Sequence, residues 1–486
     1  MSEPESTVAN DSTYGAGSED FRQAEWLAVQ LGGQWKYDHL MKRWHHWNGV
    51  RWAPDQTQDI LDTVARKAAE RLLDRTRPLP SAYEKALPRL FNVASIERAL
   101  SALASMPEYK TSGEEWDQVP FLLGCENGLL DLRTNALVEK PGPDSMVTRT
   151  TGHKFHPVSG PEDFARVAPR FMTFMHEITS QDPTLVEFLL SWYGSSMFGF
   201  SPEQRFLLLT GIGRNGKGAL KHAIMKAMGD EYSAQPDANI YMRTKFGAAR
   251  SDGARADLMD LRGRRITFFS EPEGNRFAEE TLKAHTGGDV ITARTLYSAR
   301  MTSWSPTHSI TFLVNNAPEV EDLGPSMGSR VMVADFRERY DGPNEDKRLY
   351  GTLEKEAAGI LSILAWYAER WYDSWSASEG GLFLPERVVQ QSRKFMEKGD
   401  VVAQFLHDRV VAEDGERAPS GRLYEAFIDW FNKNNADGEP ISQVRFSQAL
   451  ERKGFRKNRT VAGAGYIGIR LLRTDELAYL EEEDEE

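Results

Sequence analysis

The chain alternates between short apolar runs typical of buried strands and longer segments whose apolar residues recur at helical spacing. Four strand-like runs stand out, and helical stretches separate them: RFLLLT (205–210), RRITFF (264–269), SITFLV (309–314) and RVMVADF (330–336). This alternation predicts an α/β sheet. An apolar helix is predicted just before the first run, over 185–200.

The region before the sheet is predicted to be mainly helical with short hairpins. Residues 57–75 carry apolar side chains at four-residue spacing, which predicts a helix. RWHHWNGVRWAPD (43–55) surrounds an Asn-Gly turn, and CENGLLDLRTNALVEKPGP (125–143) contains two turn signals, so both predict hairpins. We interpret the aromatic residues of 21–55 as a compact core; base stacking is the alternative.

The region after the sheet is predicted to begin with one long helix over 346–375, followed by a hinge at SASEGG (376–381). Residues 396–475 then show two helices and a hairpin at AGAGYIGIRLL, a pattern typical of a winged helix. Its basic residues predict contact with DNA phosphates, although a solvated helix end or a partner-docking surface are alternatives. They are Arg452, Lys453, Arg456, Lys457 and Arg459.

These patterns divide the chain into six predicted segments: a disordered tail (1–20), an N-terminal helical and hairpin domain (21–165), an ATPase domain (166–345), a helical lid or linker (346–395), a winged-helix-like domain (396–475) and an acidic tail (476–486). The first 20 residues have no basic start and no apolar core, so we do not expect a secretory signal.

Composition changes this picture only slightly. The 486 residues carry a net charge of −13, of which the terminal EEEDEE contributes six, so a local basic channel for nucleic acid remains compatible with the total. The single cysteine, Cys125, fits a reducing intracellular setting. No apolar run approaches the length of a membrane span, so we expect a cytoplasmic protein without a membrane partner.

The most specific motif is GIGRNGKGAL (211–220). Gly211, four residues, then Gly216 and Lys217 match the spacing of a phosphate-binding loop, between an apolar strand and a helix. Backbone N–H groups and the helix N-terminus would bind phosphates, and Lys217 would lie against the β and γ phosphates. A glycine-rich turn before an ordinary helix is the alternative. The predicted ATP-binding residues are Gly211, Ile212, Gly213, Arg214, Asn215, Gly216, Lys217, Gly218 and Ala219.

Three further motifs follow this loop in order. Glu271, with Glu273 as a substitute, follows a strand and is a candidate for ordering magnesium or the attacking water. Asn315 and Asn316 end another strand as amides able to position water. Arg330 stands where a loop meets a strand, which suits action across a subunit interface.

The run of loop, FFSEPE, LKAHTGGDVITARTLY, FLVNNAP and GSRVMVADF resembles the superfamily 3 helicases over about 205–336. Within them it is similar to the phage and plasmid primase–helicase family, related to the poxvirus replicative nucleoside triphosphatase. The block TGGDVITAR is its most specific piece. The resemblance implies an AAA+-like P-loop ATPase core and a ring, most often a hexamer, that unwinds DNA with ATP and Mg²⁺.

The resemblance also implies residue roles. Lys217 would be the phosphate lysine, Glu271 the Walker B acid and metal ligand, Asn315 the sensor and Arg330 the arginine finger. The block with Lys283 and Arg294 is associated with DNA-facing elements. The segment YSARMTSWSPTHS (297–309) resembles the hairpin that projects into the channel. Arg300 is a candidate phosphate contact there, and a solvated surface charge is the alternative for each of these basic residues.

The chain departs from the family pattern in two positions and in one missing part. Ser329-Arg330 replaces paired arginines, and neither Gly218 nor Ala219 offers the hydroxyl that usually holds magnesium. Metal would then depend on water, Glu271 or another group. A primase-like domain is absent from this sequence, so primer synthesis is not predicted.

The sequence therefore predicts an ATP-dependent replicative DNA helicase of phage or plasmid origin, working in the host cytoplasm. Expected partners are single-stranded and forked DNA, further copies in a homo-hexamer and a separate primase or other replication protein. The alternative is a nucleotide-binding ring that loads replication factors with weak ATP turnover. A DNA-binding regulator built around the winged helix ranks last, because it leaves the ATPase motifs unexplained.

Overall fold

The protein has a mixed α/β architecture with a parallel sheet and helical regions. The computed structural model describes residues 19–74, 76, 78–79, 81–243, 255–270, 276–294, 301–315, 325–378, 380–398, 400–434, 440–461, 463–473 and 476. Residues 1–18 of the predicted N-terminal tail and most of the acidic tail lie outside these residues. Glu19 and Asp20, predicted as the end of the disordered tail, instead begin the first helix. In the described ranges, no helix combines the length and the apolar character needed to cross a membrane.

The first region packs helices against a small sheet of order β3-β2-β1-β4. Trp35, Trp44 and Trp52 are buried, so the aromatic residues form a core, as predicted. The predicted helix over 57–75 and the Asn-Gly hairpin are confirmed as α2 and β2–β3. The elements are α1 (Glu19–Leu31), β1 (Trp35–Asp38), β2 (Arg43–Trp47), β3 (Trp52–Pro54), α2 (Asp59–Leu73), α3 (Ser81–Glu84), α4 (Val93–Leu103) and β4 (Lys110–Thr111).

An antiparallel three-stranded meander and three helices lead into the main sheet. The meander confirms the turn signals of 125–143, and the last helix confirms the apolar helix predicted over 185–200. The elements are β5 (Leu122–Cys125), β6 (Gly128–Asp131), β7 (Ala136–Val138), α5 (Pro161–Val167), α6 (Pro169–Ile178) and α7 (Pro183–Ser195).

The main sheet has five parallel strands in the order β14-β8-β13-β10-β9. Its strands are buried because hydrophobic clusters cover both faces. All four strand predictions are confirmed. The elements are β8 (Phe206–Thr210), α8 (Lys217–Tyr232), β9 (Ser233–Ala234), α9 (Ala256–Met259), β10 (Ile266–Ser270), α10 (Glu279–Gly287), β11 (Ile291–Ala293), β12 (Thr302–Trp304), β13 (Ser309–Val314), α11 (Pro325–Gly328) and β14 (Val331–Asp335).

The long helix predicted over 346–375 is wrong, because two helices occupy this stretch. They are α12 (Leu349–Lys355) and α13 (Ala357–Ser376), and α14 (Glu386–Lys398) follows. The break falls at Glu356, whose carboxylate accepts hydrogen bonds from the backbone N–H groups of Arg170 and Phe171 at 3.0 and 2.8 Å. The side chain thereby caps the N-terminus of α6, a tertiary contact that helical periodicity does not reveal.

The C-terminal region has its own hydrophobic core and a three-stranded antiparallel sheet of order β15-β17-β16. The hairpin predicted at AGAGYIGIRLL is wrong: this stretch is one strand, and its partner is the basic run Lys457–Thr460. The turn falls between these two strands, where Gly463 takes a φ of 102°. The elements are α15 (Val401–Arg409), β15 (Val410–Pro419), α16 (Ser420–Asn434), α17 (Gln443–Arg452), β16 (Lys457–Thr460) and β17 (Gly463–Leu471).

Candidate nucleotide-binding site

The loop between β8 and α8 is tightly folded around two glycines. Gly211 has a φ of 143°, and a Cβ there would lie 2.2 Å from Asn215 Nδ2 and 2.3 Å from the carbonyl oxygen of Phe336. Gly216 has a φ of 90°, and its Cβ would lie 2.3 Å from Ile178 Cγ2. Both positions therefore require glycine. The loop tip, residues 212–214, is exposed, so its backbone is open to a ligand.

Lys217 and Asn315, predicted from separate motifs, lie together at the carboxyl edge of the sheet. The Lys217 Nζ donates to the carbonyl oxygen of Gly211 at 2.5 Å and to Asn315 Oδ1 at 3.2 Å. Asn315 directly follows β13, which lies next to β8. The carboxyl ends of parallel strands are where α/β sheets bind ligands. The glycine cradle, the lysine and the amide thus fit the phosphates of a nucleotide.

The predicted acidic and second amide positions cannot be placed. Glu271, Glu273 and Asn316 lie outside the described residues. Strand β10, which precedes Glu271, ends at Ser270 on the same edge and pairs with β13. In the part of the chain that is described, no group of three or more His, Cys, Asp or Glu side chains is arranged to hold a metal ion.

Arg330 lies at the opposite, amino edge of the sheet. It immediately precedes β14, and its Nη1 donates to the backbone oxygen and to Oε1 of Gln204, both at 3.3 Å. A five-residue strand spans roughly 16 Å, so about this length separates Arg330 from the loop of its own chain. The two predicted catalytic positions, Lys217 and Arg330, are therefore not brought together within one protomer.

The predicted DNA-facing segment forms the base of a hairpin near Arg330. Strands β11 and β12 pair antiparallel, Lys283 lies on α10, and Arg294 follows β11. A Cβ on Gly287, in the block TGGDVITAR, would lie 3.7 Å from Arg330 Nη2. The hairpin tip with Arg300 lies outside the described residues.

A buried polar cluster that the sequence analysis missed joins α10 to β13. The Tyr241 hydroxyl lies 2.8 Å from His285 Nδ1 and 3.1 Å from His308 Nε2. Burial lowers the pKa of His285 to about 4 and that of His308 to about 3. No local pattern signals this cluster, because its members come from three separate segments.

Tyr350 is a second residue that the sequence analysis missed. Its hydroxyl would lie 3.2 Å from a Cβ on Gly218, and its ring packs edge-on against His222 with centroids 5.0 Å apart. Tyr350 belongs to α12, so only the docking of α12 on α8 brings it to the loop.

The basic residues of the C-terminal region divide between two elements. Arg452 ends α17, while Lys457 and Arg459 are exposed on β16, and Arg456 is exposed just before it. Lys453 instead forms an ion pair with Asp400. The exposed basic surface therefore spans the helix end and the edge strand.

The family comparisons match both ends of the chain to one group of proteins. The D5 N terminal like family matches residues 24–180, and the Poxvirus D5 protein-like family matches residues 397–468. The chain is 24% identical over 338 residues to "Putative helicase L207/L206" of Acanthamoeba polyphaga mimivirus, covering 65% of the chain and 34% of that protein. It is 20% identical over 420 residues to "Putative primase C962R" of African swine fever virus (isolate Tick/Malawi/Lil 20-1/1983), covering 82% and 42%.

The chain thus spans between a third and a half of the length of these relatives. Among solved structures, the apo NrS-1 C terminal region matches 94% of the chain and 100% of its own at 9% identity, with a TM-score of 0.49. The chain is thus similar to D5-like proteins over residues 24–180 and 397–468, and to the viral relatives over most of its length.

Proposed function

We propose that the chain is an ATP-dependent DNA helicase that acts as a ring in DNA replication, with an AAA+-like P-loop core and a C-terminal winged helix. One observation carries the proposal: Lys217 meets Asn315 beside the glycine loop, whereas Arg330 lies on the far edge of the same sheet. Similarity to D5-like proteins supports a replicative role, and the mimivirus relative is named "Putative helicase L207/L206".

The proposed chemistry begins with an exchange of partners at Lys217. On binding ATP, its ammonium leaves Gly211 and Asn315 for the β and γ phosphates, and the N–H groups of the loop bind the remaining phosphate oxygens. The freed Asn315 amide then orients the attacking water. Mg²⁺ would neutralise phosphate charge, with Glu271 as its proposed protein contact.

The proposed arginine finger acts between protomers. Because Arg330 is a strand length away from its own loop, it serves the nucleotide of the next protomer in the ring. In this arrangement neither protomer holds a complete site. The proposal therefore requires oligomerisation, with a homo-hexamer as the expected form.

Two basic surfaces are the proposed DNA contacts. The hairpin of β11 and β12, with Lys283, Arg294 and Arg300, would face the channel for single-stranded DNA. In the C-terminal region the order helix, strand, helix, helix, strand, strand is that of a winged helix, with Arg452, Arg456 and Lys457 towards duplex phosphates. A separate primase or other replication protein is a further proposed partner.

Lys217→Ala tests the motor directly. Removing the ammonium should reduce single-stranded-DNA-stimulated, magnesium-dependent ATPase and fork unwinding to background, because a principal phosphate contact is lost. Lys221→Ala is the matched control, since Lys221 lies on the same helix and donates to Gln235 Oε1 at 2.8 Å instead. Wild-type rates no higher than those of Lys217→Ala would refute the motor.

The second candidate function is a nucleotide-binding ring that assembles replication factors with weak turnover. The missing hydroxyl at Gly218 favours it. Mass measurement with and without ATP tests the ring that both candidates share, and a strict monomer in both conditions would contradict both. Tight ATP binding and ring formation without ATPase would favour the assembly protein over the helicase.

A further inference from the structure

The space beside Gly218 contains a hydroxyl group from another helix. Phosphate loops usually carry Ser or Thr at this position, and its hydroxyl holds the metal beside the phosphates. A Cβ built on Gly218 would lie 3.2 Å from the Tyr350 hydroxyl, and this is the one described heavy atom within 4 Å apart from the chain neighbours and the nearby backbone of α8. We propose that Tyr350 supplies, from α12, the hydroxyl that the loop itself lacks.

The packing of α12 on α8 holds Tyr350 in this position. The His222 ring contacts the Tyr350 ring edge-on, and one turn along each helix Glu354 pairs with Lys226 at 3.1 Å. At the end of α12, Glu356 caps α6. The phenol is therefore held between two helices of the nucleotide-binding core.

The residue type at Gly218 is explained by the same contact. A Cβ at 3.2 Å from the hydroxyl would be tighter than an ordinary van der Waals contact, so a larger residue would displace the phenol. Gly218 has no positive φ that would demand glycine for backbone reasons. Glycine thus lets the Tyr350 hydroxyl approach the loop without the shift of a few tenths of an ångström that a Cβ would require.

The Tyr350 hydroxyl is accessible to a ligand. The residue is 50% exposed, and the hydroxyl makes no hydrogen bond to any residue in the described part of the chain. It lies at the first turn of α8, where N–H groups without helical partners are directed at phosphates. The proposed ligand is a magnesium–nucleoside triphosphate, so the proposal rests on the proposed function, and the Tyr350 hydroxyl would help to hold the metal beside the phosphates.

Tyr350→Phe tests this role because it removes the hydroxyl and keeps the ring. The probe is a fluorescent ATP analogue titrated at equilibrium, once with Mg²⁺ and once with EDTA. We expect affinity about tenfold weaker with Mg²⁺ and unchanged with EDTA, as loss of one hydrogen bond to a charged group implies. Tyr372→Phe is the matched control, since Tyr372 lies on α13 and stacks on Phe198.

Rescue distinguishes a ligand role from a structural one. Gly218→Ser combined with Tyr350→Phe returns a hydroxyl to the site, and we expect it to recover most of the Mg²⁺-dependent affinity. Equal thermal midpoints of the variants would exclude unfolding as the cause. Unchanged affinity in Tyr350→Phe, or equal weakening in EDTA, would overturn the role of Tyr350 alone. Equal binding by wild type and Lys217→Ala would overturn the nucleotide site as well.

Discussion

The two edges of the parallel sheet carry complementary parts of one chemistry. At the carboxyl edge, Lys217 and Asn315 are hydrogen-bonded to each other beside the glycine loop. At the amino edge, Arg330 bonds Gln204 and lies beside the TGGDVITAR block. Strand length keeps the edges apart. The carboxyl edge therefore has the groups that can bind a ligand. The amino edge instead carries a cation, Arg330, and the base of a hairpin.

The separation of the two edges also explains why Lys217 and Arg330 do not contact each other within one chain, although both belong to the predicted ATPase motifs. Lys217 and Asn315 come from neighbouring strands and meet at their ends. Arg330 precedes β14, also a neighbour of β8, yet it precedes its strand instead of following it. In the proposed ring, a residue that follows its strand would serve the nucleotide of its own protomer, and one that precedes its strand would serve that of the next protomer.

Among the predictions that compare the two edges, Arg330→Ala has the largest expected effect on ATP turnover. Nucleotide affinity should stay near wild type, while turnover falls by about 10³-fold, because an arginine finger acts on the transition state. Equilibrium titration and steady-state ATPase measure the two quantities. Arg166→Ala, which removes an exposed arginine paired with Asp163, should change neither.

Mixing two inactive variants tests whether the two edges of the sheet act together across protomers. Lys217→Ala and Arg330→Ala are each expected to be inactive alone, but a mixed ring contains interfaces where an intact Lys217 faces an intact Arg330 of the next protomer. Partial ATPase activity in the mixture is the expected result. A mixture as inactive as its components, in rings shown to exchange protomers, would contradict a site shared between edges of two protomers.

Asn315→Ala has the next largest expected effect, confined to the carboxyl edge. Removing the amide should lower turnover by about 10²-fold, as loss of one positioned polar group does in other enzymes. Affinity for ATP should change little, because Lys217 remains. Single-turnover hydrolysis with saturating ATP separates the two, and Asn458→Ala on exposed β16 is the control. Full turnover in Asn315→Ala would remove this residue from the mechanism.

The smallest expected effect is a loss of folding stability in acid, which arises from His285 and His308 near the amino edge. Burial lowers the pKa of His285 and His308 in the folded chain. Below about pH 6.5 these two histidines therefore bind more protons in the unfolded chain than in the folded chain. The free energy of unfolding should therefore fall by about 1–3 kcal/mol between pH 6.5 and 4.5.

Denaturant unfolding at several pH values measures this slope. His285→Gln should flatten the slope relative to wild type, while His407→Gln, which changes an exposed histidine, should not. Identical slopes in wild type and His285→Gln would show that the buried cluster does not control the acid response.

The sequence could predict what depends on local pattern. The four strands and the loop were predictable because apolar runs and glycine spacing are properties of consecutive residues. The hydrogen bond between Lys217 and Asn315 was not predicted, although both residues had been singled out from separate motifs. The roles of these residues and the domain boundaries stay predictions.

The rest depends on how distant segments dock. The contact of Tyr350 with Gly218 arises only when α12 packs on α8. The Tyr241 cluster joins three segments. The predicted long helix is interrupted at Glu356, the residue whose side chain caps α6. The first strand of the C-terminal hairpin, β16, was not predicted, because its basic residues do not show the apolar alternation typical of a strand. Such contacts leave no periodic signal in the sequence.

The hydrogen bonds that hold Lys217 also bear on how quickly the site can release its product. The ammonium has at least two oxygen partners within the chain, so under the proposed function ATP would replace hydrogen bonds instead of adding them. These partners could take the ammonium back when the phosphate leaves. Such a site would release its product faster and bind ATP less tightly, as the proposed helicase cycle requires.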